Sequence, residues 1–228
     1  FILIFSFISL YSINCHSSQQ ADETGFSQRK LRQVVEGNNL FAVKIYNQLN
    51  QKKKNVFFSP YSISTALAMT YEGAKAKTAS EMRKVLALPK NKDILRPGFA
   101  GLINQLNNAG GVKLATANAI WAENSYRFLK KYISLLKNRY SSKVSNLDFK
   151  GNANQARKTI NNWVEDNTNN KIKNLLPNGS INSATKMVLT NAIYFKGDWK
   201  IAFDTDNTHI SPFYISKNKQ VIVDMMKQ

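Results

Sequence analysis

The spacing of apolar and polar residues predicts helices early in the chain and strands that accumulate towards its end. Apolar residues that recur every three or four positions are typical of amphipathic helices. This spacing occurs in residues 40–49, 99–106, 128–140 and 156–164. Alternating or continuous apolar runs predict strands at residues 56–58, 114–122, 144–149 and 187–195, and a strand pair joined at 217–219. Because strands and helices do not alternate regularly, the pattern predicts an α+β fold.

One predicted helix differs from the others because it has no charged face. Ser59 is placed to cap it, and Pro60 suits its first turn. No charged residue occurs between Asn55 and Tyr71, so this helix must be buried on all sides. Gly73 ends it, and the sequence of residues 78–81, Thr-Ala-Ser-Glu, predicts a capping box for the next helix.

The two ends of the sequence suggest a processed and incomplete chain. Residues 1–13 are almost wholly apolar but too few to span a membrane, and polar residues follow from Asn14. We therefore expect residues 1–18 to be a secretory signal cleaved near Cys15 to Ser18, and the protein to be secreted and extracellular. The alternative is a buried N-terminal strand. The sequence begins without Met or a basic segment and stops after a strand-like run, so we expect truncation at both ends.

Composition restricts the chemistry. The chain has 228 residues, of which 43% are hydrophobic, and this length allows one domain with a real core. Lys and Arg number 32 against 14 Asp and Glu, which gives a net charge of +18. Such an excess favours weak attraction to polyanions, although skewed codon usage would produce the same composition. The single cysteine excludes an internal disulfide and a thiolate-rich metal site, and we predict no metal, cofactor or catalytic residue.

Five segments, which follow one another in the order that serpins have, resemble the serpin family, the serine protease inhibitors. The firmest match is Leu189-Thr190-Asn191-Ala192-Ile193-Tyr194-Phe195-Lys196-Gly197-Asp198-Trp199. The others are residues 55–69 with Gly73, Ala74 and Thr78; residues 116–121; residues 160–164 with Thr168, Ile172 and Leu175; and Phe203, Thr208, Phe213 with residues 223–226 and Gln228. The resemblance implies helices packed on a large central sheet with smaller sheets. It divides the chain into the signal (1–18), a lead-in (19–37) and the N-terminal part of a serpin domain (38–228).

The resemblance also implies a function. Serpins present an exposed reactive loop to a serine or cysteine protease, and after cleavage the loop inserts as a strand into the central sheet and distorts the acyl-enzyme. We therefore expect an inhibitor that performs no catalysis, acts as a monomer when full length, and carries its reactive loop beyond this sequence. The alternatives are a non-inhibitory serpin, such as a carrier, chaperone or storage protein, and a polyanion-binding protein.

Four residues match serpin positions that control sheet opening. Ser59, Ser62 and Asn191 match the shutter beneath the sheet, where a buried amide requires hydrogen-bond partners. We expect Asn191 to bond the two serine hydroxyls and to exchange these partners as the strands part; the alternative is an ordinary core network. Trp199 matches the breach where the loop first enters, and its alternative is simple core packing.

Two surface features are further candidates. Asn178-Gly179-Ser180 is a glycosylation sequon, which is relevant in a secreted chain. A run of basic residues without an acid between Asn124 and Leu147 is a candidate site for sulfated glycosaminoglycan: Arg127, Lys130, Lys131, Lys137, Arg139 and Lys143. The predicted helix at 99–106, where serpins often carry heparin-binding residues, contains no Lys or Arg.

Overall fold

The computed structural model describes residues 20–52 and 55–227. Within these residues there are six α-helices: α1 (Gln28–Leu49), α2 (Pro60–Gly73), α3 (Ala76–Val85), α4 (Lys92–Asn107), α5 (Lys130–Tyr140) and α6 (Phe149–Asn167). The strands are β1 (Val112–Glu123), β2 (Ser142–Leu147), β3 (Met187–Gly197), β4 (His209–Ser216) and β5 (Lys219–Met225). Two short 3-10 helices occupy Asn50–Lys52 and Thr205–Asn207. The chain forms two compact units that divide between Lys196 and Gly197.

The first unit contains a three-stranded sheet in the order β2-β1-β3. Strands β1 and β2 are parallel, with Asn118 opposite Ser142 and Glu123 opposite Leu147. The Glu123 N–H donates to the Lys186 carbonyl at 3.0 Å, so the end of β1 meets the start of β3 and these strands run antiparallel. Among the described strands, β1 is the middle one and β3 lies at the edge.

Both faces of this sheet are covered, as the continuous apolar character of β3 predicts. On one face, Ile120 and Leu189 join a core built with α1, α2, α4 and α5. On the opposite face, Trp121 and Val188 pack with Ile160 and other residues of α6. Neighbouring residues of a strand point to opposite faces, so each strand contributes to two separate cores.

The helix without a charged face is buried as predicted. Ser59 lies at its N-cap in an extended conformation, and Pro60 is its first residue. Most of α2 is buried, including Ala66, Ala68 and Met69, whose exposed fraction is 0%. An unpaired charge in the core would be costly, and α2 accordingly carries no charged residue before Glu72.

Four local predictions were wrong. Helix α1 begins at Gln28 and not at the predicted residue 40, because Leu31 and Val34 already join the core. Helix α3 begins after Lys75 without a side-chain cap, so the predicted capping box lies inside it. Helix α4 begins at Lys92 and therefore does contain basic residues. Residues 56–58 are not a strand, since this stretch leads into α2 with Phe58 packed against the core.

The second unit contains the hairpin that the alternation at 209–226 predicted. Strands β4 and β5 are antiparallel, with His209 opposite Met225 and Phe213 opposite Val221. The register shifts between Tyr214 and Ser216, just before the turn. Both faces of the pair carry exposed apolar residues, such as Ile210 on one face and Phe213 on the other.

A buried carboxylate joins three helices of the first unit. The side chain of Glu72, near the end of α2, is fully buried and accepts hydrogen bonds from Lys92 Nζ at 3.1 Å and Arg96 Nη2 at 3.0 Å, both on α4. The Tyr140 hydroxyl, at the end of α5, donates to it at 3.3 Å. Burial, with Glu72 beside it, raises the pKa of Tyr140 well above its ordinary value, so this phenol stays protonated and remains a donor.

We expect Glu72→Gln to lower the free energy of unfolding by about 2 kcal/mol. Breaking a fully buried pair costs about 3–5 kcal/mol, and the loss is smaller here because Lys92 and Arg96 retain access to water. Urea unfolding of the full-length protein measures the change. The matched control is Glu81→Gln, whose pair with Lys77 is exposed and should contribute under about 0.5 kcal/mol. Equal losses in the two variants would contradict the proposed role of Glu72.

Candidate functional site

A chain of hydrogen bonds connects α2 to two strands of the sheet. The Ser62 N–H donates to Ser59 Oγ at 3.2 Å, and the Ser62 hydroxyl donates to Asn191 Oδ1 on β3 at 2.5 Å. Asn191 Nδ2 then donates to Asn118 Oδ1 on β1 at 2.6 Å. Asn118 Nδ2 continues the chain to the Tyr140 carbonyl at 3.4 Å. The structure therefore brings together the three residues that the sequence singled out, although Ser59 reaches Asn191 only through Ser62.

Because these side chains are buried, the loss of any of these hydrogen bonds would lower the stability of the folded protein. The exposed fractions of Ser62, Asn118 and Asn191 are 2%, 2% and 5%, so water cannot replace a lost partner. An unsatisfied buried polar group costs about 1–3 kcal/mol. Each of these side chains consequently depends on the next, and the network holds α2, β1 and β3 in one arrangement.

Asn118 was not recognised as a member of this network from the sequence. The signal was present, because Asn118 interrupts the apolar face of its strand as Asn191 does on the neighbouring strand. What the sequence could not provide was the register that places the two amides side by side.

The opposite face of the sheet has its own polar contact. Trp121 Nε1 donates to Thr190 Oγ1 at 2.9 Å, so β1 and β3 are also joined beneath α6. The Trp163 ring of α6 meets the Trp121 ring edge-on with centroids 5.4 Å apart. Lys143 Nζ lies 5.2 Å from the Trp121 ring centroid and 5.9 Å from that of Trp163, in cation–π range.

Trp199 belongs to the second unit, where its side chain is 69% exposed. Its ring meets Phe203 edge-on at a centroid distance of 5.6 Å. An exposed tryptophan is not simple core packing within this unit. Its role at the point of loop entry stays a prediction.

The six basic candidates do not form one surface. Arg139 is engaged by the segment before α1: it donates to the carbonyls of Asp22 and Thr24 at 2.7 and 2.8 Å and lies 3.6 Å from the Asp22 carboxylate. Lys143 lies against the aromatic rings on the α6 side of the sheet. The remaining four are exposed and lie on α5 or just before it: Arg127, Lys130, Lys131 and Lys137. Polyanion binding by these four stays a prediction.

Asn178 lies in an exposed turn, in which the Ser180 hydroxyl donates to the Pro177 carbonyl at 2.7 Å. The turn is accessible, as a glycan would require.

The expected signal at residues 1–18 lies outside the described residues. Within the residues that are described, no helix is long and apolar enough to cross a membrane, and no cluster of His, Cys, Asp or Glu could hold a metal ion.

Comparison with known proteins gives a consistent result. The family model described as "Serpin (serine protease inhibitor)" matches residues 36–228. Leukocyte elastase inhibitor of Xenopus tropicalis is 41% identical over 192 residues, covering 82% of this chain and 51% of that protein. Serpin B6 of Bos taurus is 40% identical over 198 residues, covering 85% of this chain and 52% of that protein. The structure of ovalbumin from emu (Dromaius novaehollandiae) matches with a TM-score of 0.79 at 30% identity, covering 85% of this chain and 54% of that one.

These comparisons correct one expectation. The prediction of a secreted, extracellular protein is wrong, because relatives such as leukocyte elastase inhibitor and serpin B6 are intracellular serpins. The glycosylation of Asn178 depended on secretion and is not carried further. The chain spans about half the length of the curated relatives that it matches.

We expect Asn118→Ala and Asn191→Ala to be strongly coupled. Each single variant should lose about 1–3 kcal/mol of unfolding free energy, and the double variant should lose about 1 kcal/mol less than the sum. Denaturant unfolding of the four proteins in this cycle measures the coupling. The control cycle pairs Asn118→Ala with Asn161→Ala on α6, whose side chain bonds the backbone of Leu176 and no member of the network among the described residues, so this cycle should be additive. Additivity in the first cycle would show that the two amides do not depend on each other.

Proposed function

Because the chain belongs to the serpin family, we propose that the full-length protein inhibits serine proteases as a suicide substrate. The protease serine attacks a carbonyl of the exposed reactive loop, the peptide bond breaks, and the two proteins are joined by an acyl ester. The freed loop then enters the sheet as a new strand beside β3, and the distorted protease cannot complete hydrolysis. The protease provides all the catalysis, and this protein provides the strand and the sheet that accepts it.

The observation that carries the proposal is the hydrogen-bond chain from Ser62 through Asn191 to Asn118. A sheet that must admit a strand needs to be closed beforehand and able to open without a large penalty. Small polar side chains meet both needs, since they bond one another in the closed sheet and can accept new partners when the strands move. Interlocked Leu or Phe side chains in these positions would instead have to separate a packed apolar surface.

The relatives support protease inhibition and also provide the rival function. Leukocyte elastase inhibitor carries inhibition in its name, and serpin family members target proteases. Ovalbumin, which matches this fold, represents the non-inhibitory serpins. The two functions differ in the fate of the protease after cleavage, because an inhibitor traps its protease, whereas a non-inhibitory serpin is cleaved and releases it.

We expect the full-length protein to form a one-to-one complex with at least one serine protease that survives boiling in detergent. A panel that spans specificities for basic, aromatic and small residues is incubated with the protein and analysed on a denaturing gel. Loop insertion adds a strand to the sheet, so the cleaved form should also unfold at a higher temperature than the intact form. Cleavage without a complex and without this increase would instead establish a non-inhibitory serpin.

Replacement of Asn191 tests the part that the hydrogen-bond network plays in inhibition. We expect Asn191→Leu to reduce the ratio of trapped protease to cleaved, released inhibitor by about tenfold, which corresponds to about 1.4 kcal/mol on the insertion step. Leucine has a similar size but cannot exchange hydrogen-bond partners. The control is Asn138→Leu on the exposed face of α5, which should leave the ratio unchanged. A normal ratio in Asn191→Leu would remove the network from the mechanism.

A further inference from the structure

A cleft separate from the sheet network opens between the end of α2 and the start of α5. Its volume is about 590 Å³, and residues of α2, α4, α5 and β3 contribute to its walls. Cavities of about 300–1,000 Å³ hold small organic molecules in proteins. We refer to this cavity, bounded by Gly73, Lys75, Arg127, Leu129, Tyr132 and Met187, as the α2–α5 cleft.

One part of the α2–α5 cleft is apolar. Phe128 and Tyr132 stack in a tilted arrangement with centroids 5.6 Å apart, and Leu135 and Met187 also line the cleft. The Tyr132 hydroxyl donates to the Met69 carbonyl at 2.9 Å, so its polar end is already satisfied. Burial, with Glu72 nearby, raises the pKa of Tyr132 to about 12, which keeps the ring neutral. This wall suits a hydrocarbon group.

The rest of the α2–α5 cleft is strongly basic. Lys75, Arg127 and Lys131 line it, are exposed, and form no ion pair with any described residue. The acidic residue of the lining, Glu72, is already neutralised by Lys92 and Arg96. The cleft therefore combines an apolar wall with an excess of positive charge.

We propose that the α2–α5 cleft binds an amphipathic carboxylate, whose acidic head lies at the three cations and whose hydrocarbon tail lies along the apolar wall. Leu129, which lines the cleft and is 65% exposed, would be covered by the tail. This binding site goes beyond protease inhibition and uses none of the residues of the sheet network.

The geometry favours a single acidic head over a polyanion. An extended polyanion needs cations spread along a surface. Here Lys130 and Lys137 do not line the cleft, Arg139 is engaged by Asp22, and Lys143 lies on the other side of the sheet. A polyanion would also leave the apolar wall unused.

Isothermal titration of the full-length protein with dodecanoate, kept below its micelle concentration, tests the proposal. We expect saturable one-to-one binding that weakens as salt is raised. Dodecyltrimethylammonium, which has the same tail and a positive head, and inorganic phosphate, which has no tail, should each bind at least about tenfold more weakly. The double variant Arg127→Glu/Lys131→Glu should weaken dodecanoate binding by about tenfold or more. Lys130→Glu, an adjacent exposed lysine outside the lining, should change it less than about twofold.

Leu129→Gln, which adds no charge, provides a second test of the hydrocarbon contact and should also weaken dodecanoate binding by about tenfold. Leu129 is exposed, so its replacement does not threaten the core. Thermal unfolding of each variant confirms that it is folded before titration. Equal binding of the cationic amphiphile would overturn the proposal, and so would equal effects of Lys130→Glu and the double variant. Binding of a sulfated oligosaccharide through Arg127 and Lys131, without dodecanoate binding, would also overturn it and identify a polyanion site.

Discussion

The constraint on which this structure depends is that a sheet covered on both faces must satisfy its own polar groups. Strand β3 carries an amide, Asn191, into a layer where water cannot reach it. That amide is acceptable only because Ser62 approaches from α2 and Asn118 from β1. The absence of charge along most of α2 has the same cause, since a lysine or glutamate facing this layer would need a partner that the apolar surroundings do not contain.

The sequence predicts those features that depend on neighbouring residues. The N-cap at Ser59, the burial of α2 and the turn between β4 and β5 each arise from a few consecutive side chains, and each was predicted correctly. The start of α1 was missed although local signals for it are present, since Ser27 caps the helix and Leu31 and Val34 lie three residues apart on its buried side.

The residue types of the candidate site could be predicted from the sequence, but the hydrogen bonds between these residues could not. The resemblance to serpins identified Ser59, Ser62 and Asn191 and gave them a role. The pairing of Asn191 with Asn118 depends on the register between β1 and β3, which no local pattern encodes. The basic residues show a different error, because residues that are close in sequence were expected to share one surface. The fold separates Arg139 from Lys143: Arg139 bonds the segment before α1, whereas Lys143 lies over Trp121.

The two faces of the sheet place different demands on its opening. Beneath α6, Trp121 and Thr190 join the same pair of strands that Asn118 and Asn191 join on the α2 side. These contacts lie between β1 and β3, so a strand that enters on the other side of β3 would leave them intact. The contact between Ser62 and Asn191 is different, because it fixes β3 to α2 and limits how far β3 can move. On this argument β1 and β3 shift together, and the single bond to the helix below is the one that must be exchanged.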